Sequence, residues 1–367
     1  MLGVVPTRGE RLTAPPIDAR RPARPAHPAP AARSTPALAT RHAVPVSAAG
    51  TAEHGTRPDR CGRVRLSDRR PTAARGGRMG VELRHDTAQE DTMDARTRHL
   101  YVDRPDDVAT AARALAGGAV VAVAFGNFYA LVTRPETAAV RRLNLAKGRP
   151  ADQIGSITAA PGRIPAMFDW SRVPSRLPGR RVRQLMDALH GAGPFGFRGP
   201  AAARLPAHLT QHDRGVRTTQ VIAPGLACPS NAFLTRAAAE AGVDHLHITS
   251  ANRSRHLTGA EEEPAHWTAE GIAADFAHLD ELVVLAHRDE AAARAAYPGH
   301  LPTSVTLLSF HAPGGELEEP PVLTVDRHGS LHLDEVRRAA APLGLQVRLG
   351  PAAGRRLQPR TYAAALV

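Results

Sequence analysis

Between about residue 97 and residue 349, apolar positions come in short runs separated by polar, glycine- and proline-bearing breaks. Asp103-Arg104-Pro105-Asp106 opens a helix that closes at Gly117-Gly118, with proline and acids early and glycine late. Ala119–Phe125 and Phe128–Thr133 are continuous apolar runs of strand length divided by a short turn. Pro135 starts a helix that stops at Lys147-Gly148-Arg149-Pro150, and Ile154–Ala159 reads as the next strand. Further along, the pattern predicts helices over Arg181–His190, from a capping Ser230 to Gly242, over Thr268–His278 and over Asp334–Ala341. Strands are predicted over Thr218–Ala223, Asp244–Ile248, Leu282–Ala286 and Ser304–Leu308. Helices interleaved with apolar strands predict an α/β fold, a sheet with helices packed on it. No repeat of fixed period is visible.

Residues 1–92 break this pattern. They are dense in Pro, Arg, Ala and Thr and show no hydrophobic period, so they read as a disordered extension, 93–350 as the folded domain and 351–367 as a tail. The division changes the meaning of the net charge of +12, because 16 Arg against 9 Asp and Glu stand in those first 92 residues. The remainder is only mildly basic, which weakens a nucleic-acid reading based on charge alone. A dispensable, solvated arm is favoured over an RNA tether, and Met79 and Met93 are alternative starts. Nine prolines in the first fifty residues oppose the amphipathic helix of a transit peptide. Two cysteines, Cys61 and Cys228, exclude a disulfide framework or a cysteine zinc site and fit a reducing cytoplasm. No apolar run reaches the roughly 18 residues that a membrane span needs.

Two polar segments carry the candidate chemistry. Lys147-Gly148-Arg149 stands where a helix gives way to a strand, and Ser250-Ala251-Asn252 just past the carboxyl end of the strand 244–248. Ligands of open α/β sheets collect outside those ends. A lysine as a point charge and an arginine as a planar fork suit a polyphosphate, and Ser and Asn can bond phosphate oxygens, a ribose or a metal-bound water. Lys147 is the chain's only lysine, against 46 arginines, which singles it out as a phosphate ligand. Elsewhere, His245 and His247 alternate on one strand without a third ligand at metal spacing and read as core histidines. Glu261-Glu262-Glu263 reads as a solvated loop.

Taken in order, these segments resemble the YrdC family, which includes threonylcarbamoyl-adenylate synthases. Ala111–Leu131 followed by Leu143–Pro150 is similar to that family's βαβ opening and its Lys-x-Arg motif. Thr249-Ser250-Ala251-Asn252 is similar to its Ser-x-Asn hallmark, and Leu301–Thr306 to its late Pro-Ser-Thr-Val segment with the hydroxyl residues in reverse order. Gly329-Ser330 with Asp334–Arg337 is similar to its C-terminal glycine-and-glutamate helix. The resemblance implies a twisted mixed open sheet flanked by helices, with a concave, basic ATP pocket. It implies a reaction of ATP, bicarbonate and L-threonine to threonylcarbamoyl-AMP and pyrophosphate. Lys147 and Arg149 would then hold phosphates together with Mg²⁺ carried on the triphosphate. Ser250 and Asn252 would fix the α-phosphate side, with Ser304 helping from the last strand and Thr249 and Ser156 also in the nucleotide site.

The departures bear on the substrate. Where the family reads Pro-Thr-Asp-Thr-x-Tyr-Gly-Leu, this chain reads Ala124-Phe125-Gly126-Asn127-Phe128-Tyr129-Ala130-Leu131. Phe125, Gly126 and Asn127, with Tyr129, are expected to form the substrate pocket. The loss of the threonine and aspartate removes a hydroxyl and a carboxylate that a polar substrate would need. Gln153 stands for the second lysine, and Ile222 for an arginine. The leading reading is a divergent adenylate-forming nucleotidyltransferase that takes bicarbonate or carbamoyl phosphate and a small amine other than threonine. The threonylcarbamoyl-adenylate synthase of tRNA modification is the alternative, and a non-catalytic RNA- or nucleotide-binding module is the third.

Overall fold

The computed structural model describes residues 98–259, 261–312 and 320–362. The proposed extension over 1–92 lies outside them. Among the described residues the strands are β1 (Arg98–Tyr101), β2 (Val120–Phe125), β3 (Phe128–Thr133), β4 (Ser156–Thr158), β5 (Phe195–Pro200) and β6 (Gln211–Asp213). The set continues with β7 (Val216–Ala223), β8 (Leu246–Ser250), β9 (Leu282–Ala286), β10 (Leu307–Ser309), β11 (Val322–Arg327) and β12 (Gln346–Leu349). The helices are α1 (Pro105–Ala116), α2 (Thr137–Ala146), α3 (Gly179–Ala192), α4 (Ser230–Glu240), α5 (Ala269–Asp275), α6 (Glu290–Ala295) and α7 (Leu333–Ala340). All strands join one mixed sheet in the order β1-β9-β2-β3-β8-β4-β7-β5-β10-β11-β12, with β6 paired to β7. The α/β class and the mixed sheet with flanking helices agree with expectation.

Local chemistry explains the elements that matter. Helix α1 starts on Pro105, carries Asp106 and Asp107 in its first turn, and buries Val108, Ala111, Ala112 and Leu115 at helical spacing. It packs on α4, and both present alanines that let the two backbones approach. Strands β2 and β3 are buried almost throughout, as unbroken apolar runs require. One apolar cluster gathers β2, β3, β9, α1 and α4. A second gathers β5, β10, β11, α3 and α7. No described helix is long and apolar enough to cross a membrane.

Two local expectations are corrected, and one strand stands where none was predicted. The strand expected over 244–248 runs over Leu246–Ser250, because its pairing with β3 sets Thr249 opposite Leu131 and Ser250 opposite Ala130. Thr249 and Ser250 are thus held in the strand itself, at its carboxyl end, and not in a loop beyond it. Ser230 does not cap α4; its hydroxyl donates to the Ala124 carbonyl, and Pro229 holds the cap position. Strand β5 falls where no element was predicted: Gly196 and Gly199 dilute its pattern because neighbours fill their space. A Cβ on Gly199 would lie 2.0 Å from the Phe310 ring, and one on Gly196 2.8 Å from Ile222.

Candidate functional site

The Lys147-Gly148-Arg149 turn ends α2. Gly148 has φ +73, and a Cβ there would meet the Ser254 carbonyl at 2.5 Å, so glycine is required for the turn to dock on the loop after β8. The Ser254 amide donates to the Lys147 carbonyl at 2.7 Å and seals that contact. Beneath it the Lys147 side chain is 1% exposed. Its ammonium donates to Thr249 Oγ1 at 3.1 Å, to Asn252 Oδ1 at 3.3 Å and to the Ser250 carbonyl. Three protons thus meet three acceptors. Burial, and then the nearby Arg149, push the Lys147 pKa well below the ordinary lysine value.

Arg149 lies above. It donates to Thr249 Oγ1 at 2.7 Å and pairs with the Glu262 carboxylate. Asn252 is fixed from both sides: Oδ1 accepts from Lys147 and Ser250, and Nδ2 donates to Glu262 at 3.1 Å and to the Arg253 carbonyl at 3.0 Å. Glu262 therefore sits where an anionic ligand of Arg149 and Asn252 would sit. Glu263 pairs with Arg255 at 2.7 Å and Arg360 at 2.6 Å, and these bonds hold its carboxyl below the usual range despite partial burial. The run Glu261-Glu262-Glu263 is thus one side of the site rather than a solvated loop, because arginines claim two of its three carboxylates.

Facing this, Gln220 on β7 donates to Ser156 Oγ at 2.8 Å and accepts from Arg198 at 3.0 Å. Arg198 pairs with Asp326 at 2.8 Å, and Asp326 also accepts from Ser309. Among the described residues Arg327, at the end of β11, makes one hydrogen bond, Nε to the Val305 carbonyl at 2.9 Å, and has no carboxylate partner. Burial brings the Arg327 pKa down to about 10, with Arg198 adding to it. Burial does the same for Arg149, also to about 10, with Arg327 adding. The three guanidinium groups therefore lie within electrostatic reach of one another.

Between these walls lies a cavity of about 680 Å³. Phe128, Ala130, Ile222, Ile248 and Val305 give it an apolar side. Arg149, Thr249, Ser250 and Asn252 border it, as do Ser156 and Ser304, so six of the expected nucleotide-site residues are brought together. Lys147 stands behind the Thr249–Asn252 segment rather than in the wall. The expected substrate residues are elsewhere. Phe125 is fully buried and packs edge-on against Phe128 with ring centres 5.8 Å apart. Gly126 turns the β2–β3 hairpin at φ +73, and a Cβ there would strike Pro194 at 2.4 Å. Asn127 donates to the His300 carbonyl at 3.0 Å, and Tyr129 donates to Glu290 at 2.6 Å. None of the four lines the cavity. His247 does, and Nδ1–H must donate to the Ser156 carbonyl at 3.0 Å, which leaves Nε2 an unpartnered acceptor. Burial lowers its pKa to about 3.

Sequence reasoning passed over Arg198, Arg327, Glu262, Arg355 and Arg356, all in the cavity wall. A signal existed for the first: Arg198 stands inside a strand of otherwise small or apolar residues, a place arginine occupies only with a partner or a ligand. Among the described residues no group of three or more His, Cys, Asp or Glu could hold a metal ion. The donor set therefore fits magnesium only as an ion carried on a ligand's oxygens.

No protein-family model and no curated protein matches the chain. Solved structures do. A hypothetical protein from Streptococcus mutans is 14% identical, with 70% of this chain and 98% of that chain covered at a TM-score of 0.50. P. abyssi Sua5 complexed with L-threonine is 19% identical, covering 72% of this chain and 68% of that one at 0.48. E. coli YciO is 16% identical, covering 62% and 93% at 0.41. At these identities the likeness is one of fold.

Proposed function

We propose that the protein is an ATP-dependent, adenylate-forming nucleotidyltransferase of YrdC-like kind, which joins a carbamoyl or N-carboxy-amine group to AMP and releases pyrophosphate. The observation that carries this reading is the cavity itself. Arginines and the Thr249-Ser250-Asn252 edge converge on one pocket whose remaining side is apolar, as a nucleotide with a flat base and a charged tail requires. No protein nucleophile is needed. A carbamate oxygen forms a bond to the α-phosphorus, the bond to the bridging oxygen breaks, and pyrophosphate leaves with the electron pair. Arg149 and Arg327 would neutralise charge on the phosphoryl oxygens, while Ser250 and Asn252 align the α-phosphate. Lys147 acts one layer back, holding that edge in register. Magnesium would supply charge neutralisation on the triphosphate, arriving with it.

The amine is one other than threonine. The Phe125-Gly126-Asn127 hairpin offers no hydrogen-bonding group to the cavity, since none of the three residues lines it and Asn127 turns its Nδ2 to the His300 carbonyl. A buried site lacking such partners loses roughly 1–3 kcal/mol per unpaired group of a polar substrate. Carbamoyl phosphate in place of bicarbonate is compatible with the same pocket. The test is mass spectrometry of products from ATP with bicarbonate or carbamoyl phosphate and a panel of amines. An AMP adduct with a non-threonine amine is the expected product. Threonine converted as fast as any other amine restores the tRNA-modification synthase, and ATP binding without pyrophosphate release leaves a nucleotide-binding module.

A further inference from the structure

Strand β7 has one edge divided between two short strands. Its other edge is paired by β5 from Thr218 to Ala223. On the divided edge the pairing with β6 ends at Thr218, and β4 takes only Val221. Thr219 and Gln220 therefore have no strand partner on that side among the described residues. The Arg217 carbonyl accepts from Ala201 N on the β5 side, so the alternation of the strand turns the Gln220 N–H away from β5 and into the gap. The gap is a recess of about 40 Å³ that shares Ser156, Arg198 and Gln220 with the wall of the large cavity. Leu209, Thr218 and Thr219 complete it and border no part of the larger space.

The recess is rich in donors. Ser156 Oγ accepts from Gln220 Nε2 at 2.8 Å, and its own proton has no acceptor among the described residues. Arg198 spends its terminal nitrogens on Asp326 at 2.8 Å and Gln220 at 3.0 Å, while its Nε has no partner there. The Thr218 and Thr219 hydroxyls donate to the Gln211 and Leu209 carbonyls, both at 3.1 Å, and keep lone pairs. The Gln220 N–H, the Ser156 hydroxyl and Arg198 Nε are thus three donors in want of an acceptor. Unpaired donors in so small a space are costly unless a ligand or water accepts from them. The volume admits a few waters or one small planar acid, and no whole amino acid or base.

We propose that this recess seats a planar one-carbon oxyanion, the carboxylate-type group of the second substrate. That group is either free, as bicarbonate or carbamate, or carried as the carboxylate of the amine. The inference rests on the reading of the cavity as an adenylate-forming site, and it supplies a seat that the Phe125–Asn127 hairpin, outside the cavity, does not. Planar oxygens accept from the three donors beside the Arg198 charge. The O–H of bicarbonate or the N–H of carbamate then meets the lone pairs of Thr218 and Thr219.

The experiment is saturation-transfer NMR of the formate proton with the full chain at fixed ionic strength. Formate should bind the wild type and be displaced by nitrate, another planar monoanion. Thr218→Leu fills the recess from a residue that borders only the recess, so formate affinity should fall about tenfold with AMP affinity within about twofold. Ser156→Ala removes one donor without adding bulk and should weaken formate about fivefold; it carries the test if Thr218→Leu does not fold. Displacement of formate by glycine but not by methylamine assigns the seat to the carboxylate of the amine. Formate that glycine leaves in place assigns it to bicarbonate or carbamate. No formate signal from the wild type, or one unchanged in both variants, overturns the seat. Formate lost as expected in a protein that releases no pyrophosphate keeps the seat and overturns the enzyme reading. Pyrophosphate release by a folded Thr218→Leu at the wild-type rate does the reverse.

Discussion

The two walls of the cavity solve opposite problems. On the β8 wall nearly every polar group already has a protein partner: Lys147 has three acceptors, Arg149 has Thr249 and Glu262, and Asn252 is bonded at both amide atoms. On the β11 wall, among the described residues, Arg327 has one hydrogen bond and Arg355 none, and neither has a carboxylate. The first wall is largely bonded within itself, with Arg149 Nε and His247 Nε2 as its spare atoms, so most of its bonds contribute to folding. The second carries charge that folding alone leaves uncompensated, so its residues answer to what binds. A cluster of polar residues is therefore not one kind of object, and the count of spare donors separates scaffold from contact.

The largest expected effect follows from the first wall. Lys147→Met removes the common donor of Thr249, Ser250 and Asn252 and should cost about 3 kcal/mol in urea unfolding, because three buried hydrogen bonds are lost at about 1 kcal/mol each, although every acceptor keeps a second donor. A stable variant with lost ATP binding would instead make Lys147 a direct ligand and erase the contrast. Next, Arg327→Met should leave stability unchanged or raised while tripolyphosphate affinity falls ten- to a hundredfold, read by calorimetry, on the order of 1.4–2.7 kcal/mol. A stability loss as large as that of Lys147→Met would show both walls to be scaffold.

Acid should expose the β8 wall further. His247 has its folded pKa lowered to about 3, and His190 and His300 to about 4, each by burial. The unfolded chain binds these protons first, so stability falls as pH drops below about 6.5 and the loss ends only near the folded values. His247→Gln should remove its share of that slope, roughly 1.4 kcal/mol per pH unit within the window; an unchanged slope would mean that the imidazole is charged in the fold. Smaller still, Glu262→Gln weakens the internal competitor for Arg149 and Asn252, and nucleotide affinity should rise several-fold. A fall would make Glu262 a ligand-binding group. Smallest of all, a chain beginning at Met93 should melt within about a degree of the full protein, given an extension whose composition cannot bury a core.

What the sequence disclosed follows the same division. The β8 wall comes from two short polar segments, 147–149 and 249–252, each at the end of an apolar run, and a lone lysine marks one of them. Position was legible there, but not direction: nothing in the pattern tells whether an ammonium points into a cavity or behind its wall. The β11 wall draws Arg198, Arg327, Arg355 and Arg356 from three distant places, and with 46 arginines in the chain none stands out by type. The Phe125–Asn127 hairpin was misplaced for a tertiary reason. Pro194 and the Pro224 carbonyl press on Gly126, and neither is a neighbour in sequence. Strand β5 was hidden because its glycines make room for Phe310 and Ile222 and dilute the apolar pattern.

The burial of Lys147 has a chemical corollary. It is the chain's sole side-chain primary amine, and in the folded protein it is both shielded and fully engaged. Amine-directed acylating reagents therefore find no accessible lysine while the β8 edge is closed. Acylation at this one residue thus becomes a clock for the site, advancing only when Thr249, Ser250 and Asn252 let go.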